Sequence, residues 1–116
     1  WAYPLGPSPV ETYCISAAKA LACGLWPVTT DAGALRETPF DGTILPAEAL
    51  LEDWGREMYL RAAIMALEGR PMVSATRDPV VLDAEFRRRL RAEALRRYDW
   101  DHAAREMDAI LREVCR

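Results

Sequence analysis

The stretch that decides the fold is ETYCISAAKALACGLWPVTT, residues 11–30, in which a run of small residues leads into a short apolar segment. The small residues end at Gly24, the usual residue at a left-handed helix end, and predict a helix capped by Thr12 that runs to Cys23. The β-branched, apolar run after it predicts a buried strand. Because WAY at residues 1–3 predicts another strand, the order indicates parallel strands joined by a right-handed crossover.

The rest of the chain predicts one more strand and then helices. Residues 31–39 favour a turn with a short helical piece, and FDGTILP, residues 40–46, favours a third short strand. From Ala47 onward, apolar residues recur close to every 3.6 positions and predict three helices, the last two meeting at Tyr98–Asp99. Trp54, Trp100 and Tyr59 are expected in the core. We therefore predict an α/β fold in which residues 1–46 form the strand–helix–strand segment and residues 47–116 form the helical portion.

Composition narrows the class of protein. At 116 residues the chain is the size of one small domain, and its net charge of −3 predicts no general attraction to nucleic acid. No 18-residue apolar run or basic-then-apolar start is present, so neither a membrane span nor a signal peptide is expected. Three widely spaced cysteines fit neither a disulfide framework nor a zinc site and favour a cytoplasmic location. A start without methionine leads us to expect further sequence before Trp1.

The candidate site lies at the start of the first helix. In an open parallel sheet, ligands bind beyond the carboxyl ends of the strands, where helix amino termini offer backbone amides and a partial positive charge. The backbone amides of Thr12, Tyr13, Cys14 and Ile15 are expected to be free there, and a phosphate suits that position. Glu11 would repel a phosphate and is expected to accept hydrogen bonds from neutral groups such as sugar hydroxyls. Lys19 follows eight residues later, about 12 Å along a helix, a span that suits a nucleotide sugar.

These residues also carry a resemblance to a known family. The segment from Glu11 to Thr38 resembles the donor-binding segment of GT-B-fold retaining glycosyltransferases, the group called glycosyltransferase family 4. The motif positions are an acidic residue, a small-residue helix end, a Pro-Val strand, a turn with glycine and glutamate, and a following Asp-Gly. In this sequence they fall on Glu11, Ala20 to Gly24, Pro27 and Val28, Gly33 to Glu37, and Asp41 with Gly42. The last helix, from Tyr98, is similar to the closing helix of that family.

The resemblance implies transfer of a sugar from a nucleotide-sugar donor to an acceptor such as a glycan or lipid-linked sugar, with retention and without a metal or other cofactor. Glu11 would bind hydroxyls of the donor sugar, the amides of residues 12–15 would hold the sugar and diphosphate, and Lys19 would face the ribose or a phosphate. The chain would be the C-terminal part of a Rossmann-like donor domain. Its partners would be the nucleotide sugar and the missing N-terminal domain, without which no transferase activity is expected. The open sheet edge predicts self-association of such a fragment.

Two positions leave alternatives open. Lys19 stands where most of the family has a second glutamate, and an ammonium group donates hydrogen bonds but cannot accept them. It could be a natural variant that still binds a nucleotide sugar, the mark of a degenerate binding or scaffolding module, or a solvated surface lysine. Glu37 could contact the donor or cap a local amide. A sugar epimerase or phosphorylase of the same architecture is a further possibility.

A basic run occupies the penultimate helix. Six arginines fall between Arg87 and Arg97, and three acidic residues within or just before the run partly balance them. A solvated helix face is the favoured interpretation, ahead of peripheral contact with the inner face of a membrane and of nucleic-acid binding. We therefore expect no nucleic-acid partner.

Overall fold

The computed structural model describes residues 1–7, 12–73 and 78–114. Within them three short strands and four α-helices form, together with two 3₁₀ turns. The strands are β1 (Ala2–Tyr3), β2 (Val28–Thr30) and β3 (Thr43–Leu45); the helices are α1 (Ile15–Ala22), α2 (Asp53–Leu67), α3 (Ala84–Arg97) and α4 (Trp100–Val114); the 3₁₀ turns are Gly33–Arg36 and Ala47–Leu51. The predicted mixed α/β order, with three helices after the last strand, is confirmed.

The sheet is parallel throughout, with β2 between β1 and β3. All three residues of β2 are buried, as a central parallel strand requires. The Thr29 hydroxyl donates to the Tyr3 carbonyl (3.0 Å) and the Thr30 hydroxyl to the Leu5 carbonyl (2.6 Å). Both buried hydroxyls therefore have a hydrogen-bond partner, and these bonds hold β1 and the residues just after it against β2.

Helix α3 packs directly against α1. Leu21 on α1 packs against Leu90 and Ala94 on α3, and all three side chains are buried. Gly24, with φ +71, follows the end of α1, and a side chain there would meet the Arg87 carbonyl at 3.0 Å. Glycine is needed at this position both for its backbone conformation and for the space. The predicted left-handed end of the helix is confirmed.

The start of α1 differs from the prediction. The helix begins at Ile15 rather than directly after Thr12, and Cys14 occupies the N-cap position without a side-chain capping bond. Cys14 is 3 % exposed and packs with Ala17 and Leu35 beneath the loop after β1. Burial of this side chain fixes where the chain turns into the helix, and it takes precedence over the capping preference of Thr12.

The second hydrophobic cluster joins α2 to the sheet. The Tyr59 side chain packs near Trp26 and Val28, and its hydroxyl donates to the Val28 carbonyl at 2.9 Å. Burial raises the pKa of Tyr59 to about 12. The prediction of a core position is confirmed for Tyr59 and wrong for Trp54, which is 59 % exposed. The Trp100 side chain lies outside what the structure describes. On the packed face of α2, Gly55 lies directly against the 3₁₀ turn Ala47–Leu51.

Four apolar side chains of the last helix, α4, are exposed to solvent. Met107, Ile110, Leu111 and Val114 are each more than half exposed. In the described part of the chain, no helix combines the length and the apolar composition needed to cross a membrane.

Candidate functional site

The first turn of α1 lies at the carboxyl edge of the sheet, as the crossover predicts. α1 connects β1 to β2, so it runs antiparallel to them and its amino terminus lies beyond their carboxyl ends. The 3₁₀ turn Gly33–Arg36 follows β2 at the same edge. This edge is therefore where the fold offers a ligand the amide end of a helix.

Only some of the amides predicted to bind a ligand are open. The Ile15 amide donates to the Tyr13 carbonyl at 2.9 Å, so the prediction that it is unpaired is wrong. This bond closes a tight turn around Cys14, whose side chain is buried. Among the hydrogen bonds between described residues, none uses the amide of Thr12 or Cys14 as donor. Glu11, the predicted sugar ligand, lies outside the described residues.

Lys19 lies in a groove between α1 and α3. The groove has a volume of about 590 Å³ and is mostly apolar, and Tyr13, Ile15 and Lys19 line it from the α1 side. Lys19 is exposed. Because α1 begins only at Ile15, Lys19 is four residues into the helix, about 6 Å along its axis. Residues 12–14 are not helical, so the helical rise from which the span of about 12 Å to Lys19 was predicted does not apply there.

The α3 side of this groove was not predicted from the sequence. Ala94, Leu95 and Tyr98 line it there, and their positions 75 or more residues after Lys19 gave no signal of the contact. Tyr98 is fixed in place: its hydroxyl donates to the Thr38 carbonyl, its ring stacks near Phe40, and burial raises its pKa. The structure thus brings Tyr13, Ile15 and Lys19 together on one surface, while it places Cys14 in the core.

Glu37 lies on the surface just after the 3₁₀ turn. Its amide donates to the Ala34 carbonyl at 3.0 Å, whereas its carboxylate takes part in none of the hydrogen bonds between described residues. The alternative of a local cap is therefore wrong. The carboxylate that organises this edge is Asp31, which the sequence did not single out: it accepts from the Ala47 amide at 2.8 Å and pairs with Arg36 at 3.1 Å.

The arginines of α3 are largely engaged by neighbouring groups. Arg96 and Arg97 both pair with Glu93, and these hydrogen bonds lower the pKa of Glu93 to about 2. Arg88 pairs with Glu85 at 2.6 Å, and Arg87 donates to backbone carbonyls. Such intrahelical pairing on an exposed face is what the interpretation of a solvated helix face predicts.

Comparison with known proteins identifies no relative. No known protein family matches the chain, and neither does any characterised protein or solved structure.

Proposed function

We propose that the chain is the C-terminal part of the donor-binding domain of a retaining GT-B glycosyltransferase, which binds a nucleotide sugar at the carboxyl edge of its sheet. The observation that carries the proposal is the placement of the sequence motif on the fold. The small-residue helix α1 joins two parallel strands, Val28 begins the central one, and the turn with Gly33 and Glu37 follows it. This is the arrangement in which parallel sheets bind phosphate-bearing ligands.

The roles of individual residues follow from what remains open at this edge. The amides of Thr12 and Cys14 would hold the diphosphate, with the partial positive charge of α1 behind them. Glu11 would accept hydrogen bonds from the sugar hydroxyls. Lys19 would donate to the ribose or to a phosphate, since its ammonium group can donate but not accept. Glu37, exposed at the same edge, is the remaining candidate for donor contact.

In this proposal the chain binds the nucleotide-sugar donor and does not by itself catalyse sugar transfer. Stabilising the leaving diphosphate is the main electrostatic task of sugar transfer, and the resemblance assigns that task to basic residues in the segment before Trp1. The acceptor would be bound by a further domain. The activity, the acceptor and any contact with a membrane surface therefore belong to the whole enzyme of which this chain would form part.

A second candidate function is a nucleotide-sugar binding or scaffolding module without catalytic activity. The observation that favours it is Lys19, which replaces the carboxylate that the resemblance leads us to expect and lies in a mostly apolar groove. Without a hydrogen-bond acceptor at this position, a hydroxyl group of the ribose would be bound less tightly.

Isothermal titration of the full-length protein, of which this chain would form part, with UDP, GDP and UDP-glucose tests both candidates. The variants are Lys19→Glu and, as a control, Arg61→Glu, which reverses an exposed charge on α2. Binding that Lys19→Glu weakens roughly tenfold or more, and Arg61→Glu leaves unchanged, would support a working donor site. Binding only by Lys19→Glu would support the degenerate module. Absence of binding by every variant would refute both.

A further inference from the structure

Glu37 stands between two residues that are each held by a contact with a more distant part of the chain. Its side chain is exposed at the end of the first 3₁₀ turn, and its carboxylate takes part in none of the hydrogen bonds between described residues. The residue before it, Arg36, is bound to Asp31, and the residue after it, Thr38, is bound to Tyr98. An exposed carboxylate is thus carried by a segment that is held on both sides.

Asp31 supplies the first of these two contacts. It directly follows β2, its amide donates to the Leu45 carbonyl at 2.9 Å, and one of its carboxylate oxygens accepts from the Ala47 amide at 2.8 Å. The other oxygen accepts from the Arg36 guanidinium at 3.1 Å. The backbone and one oxygen of Asp31 are therefore fixed independently of Arg36, and the side chain is only 27 % exposed. An acceptor that is already fixed loses little side-chain freedom when it forms the ion pair.

Tyr98, at the end of α3, supplies the second contact. Its hydroxyl donates to the Thr38 carbonyl, and its ring lies 6.1 Å from the ring of Phe40, measured between centroids. Thr38 is buried, and its amide donates to the Ala34 carbonyl at 2.7 Å inside the turn. Because Tyr98 is 60 residues away from Thr38 in sequence, its hydrogen bond ties the turn to another element of the fold. The turn is therefore held from the sheet on one side and from a helix on the other.

We propose that Asp31 and Tyr98 are positioning residues, which hold Glu37 so that its carboxylate accepts hydrogen bonds from hydroxyls of the donor sugar. This inference rests on the proposed function and deepens it, because it assigns the sugar, and not the nucleotide, to Glu37. A carboxylate that is held in advance gives up less conformational freedom on binding than one on a loose turn, so the sugar is bound more tightly. An ionised carboxylate only accepts hydrogen bonds, and it suits neutral hydroxyls better than a negatively charged diphosphate.

Isothermal titration of the full-length protein with UDP-glucose and with UDP tests this inference, since the two ligands differ by the sugar. Glu37→Ala removes the carboxylate at an exposed position. Asp31→Asn keeps an oxygen for the Ala47 amide and removes the charge that binds the Arg36 guanidinium. Tyr98→Phe keeps the ring and removes the hydroxyl that binds the turn. Each of the two positioning residues is also combined with Glu37→Ala in a double variant.

The expected effects are confined to the ligand that carries the sugar. Glu37→Ala should raise the dissociation constant of UDP-glucose about tenfold, as expected for hydrogen bonds to a charged group, and leave that of UDP unchanged. For UDP-glucose the rise should be about two- to fivefold in Asp31→Asn, which loses an ion pair, and about two- to tenfold in Tyr98→Phe, which loses one hydrogen bond. Neither change should have a further effect when Glu37→Ala is already present.

Two matched controls make the same chemical changes elsewhere in the fold. Asp53→Asn breaks an exposed pair between an aspartate and an arginine on α2, and Tyr59→Phe removes the hydroxyl that binds the Val28 carbonyl. Both should leave the ratio of the two dissociation constants as it is in the wild type.

Failure of this inference and failure of the proposed function give different results. If the wild type and Glu37→Ala bind UDP-glucose equally well, the donor site stands, but Glu37 does not contact the sugar and the inference is overturned. If Asp31→Asn and Tyr98→Phe weaken UDP and UDP-glucose alike, or weaken UDP-glucose further in the Glu37→Ala background, their role is only structural and the inference is again overturned. A wild type that binds neither ligand would refute the proposed function and this inference with it.

Discussion

Gly55 is the position at which one added methyl group should be most harmful. It lies in the first turns of α2, where an alanine normally stabilises a helix by about 0.5–1 kcal/mol relative to glycine. Here a Cβ atom would lie 1.9 Å from the Ala49 carbonyl oxygen and 2.4 Å from its carbonyl carbon. Ordinary contact begins near 3.4 Å. The helix and the 3₁₀ turn would therefore have to separate by roughly 1.5 Å, which opens a packed contact.

The expected magnitude is the difference between these two effects. Overpacking of this kind costs about 1–3 kcal/mol, so after the helix-propensity gain Gly55→Ala should lower the free energy of unfolding by about 1–2 kcal/mol. For a domain of this size that corresponds to a fall of about 4–8 °C in the melting temperature. Thermal and urea unfolding followed by circular dichroism measure it.

Two further variants separate the proposed cause from others. Glu57→Ala, at an exposed position on the same helix, should change the free energy of unfolding by less than about 0.5 kcal/mol. The double variant Gly55→Ala with Ala49→Gly should remain destabilised, because the closest atoms are backbone atoms that the second change leaves in place. A melting temperature of Gly55→Ala equal to or above that of the wild type would refute the close approach of α2 to the turn.

Two pH-dependent predictions follow from the perturbed side chains. Tyr59 has its pKa raised to about 12, so it stabilises the fold below pH 10, its ordinary pKa, and this contribution is lost as the pH rises toward 12. Tyr59→Phe should therefore lower stability by about 1 kcal/mol at pH 7, through loss of the bond to the Val28 carbonyl, and flatten the alkaline decline in urea titrations. Glu93 has its pKa lowered from 4.5 to about 2, so its contribution is present above pH 4.5 and lost as the pH falls through 2. Glu93→Gln should match the wild type near pH 2 and be less stable at pH 7; equal stability at both values would contradict the pairing with the two arginines.

The sequence predicted the order of elements because hydrophobic period and glycine placement are local signals. The end of α1 at Gly24 is such a case, since only the backbone of that residue and its neighbours is involved. The burial of Trp54 was predicted wrongly for a different reason. The apolar residues of α2 occupy more than one face, and the face that packs against the rest of the domain carries Gly55, Tyr59 and Ala62 rather than Trp54. Periodicity shows which residues are apolar, but not which face packs most tightly.

The candidate site was predicted less completely than the fold. The sequence placed Tyr13, Ile15 and Lys19 together because they share one short helix and its entry. It did not predict that α3 would supply the opposite wall, because contacts between residues so distant in sequence leave no periodic signal. The small residues of α1 illustrate the consequence. Ala22, one of them, packs with Leu21 against Leu90 and Ala94 of α3, a contact that the helix pattern alone did not predict.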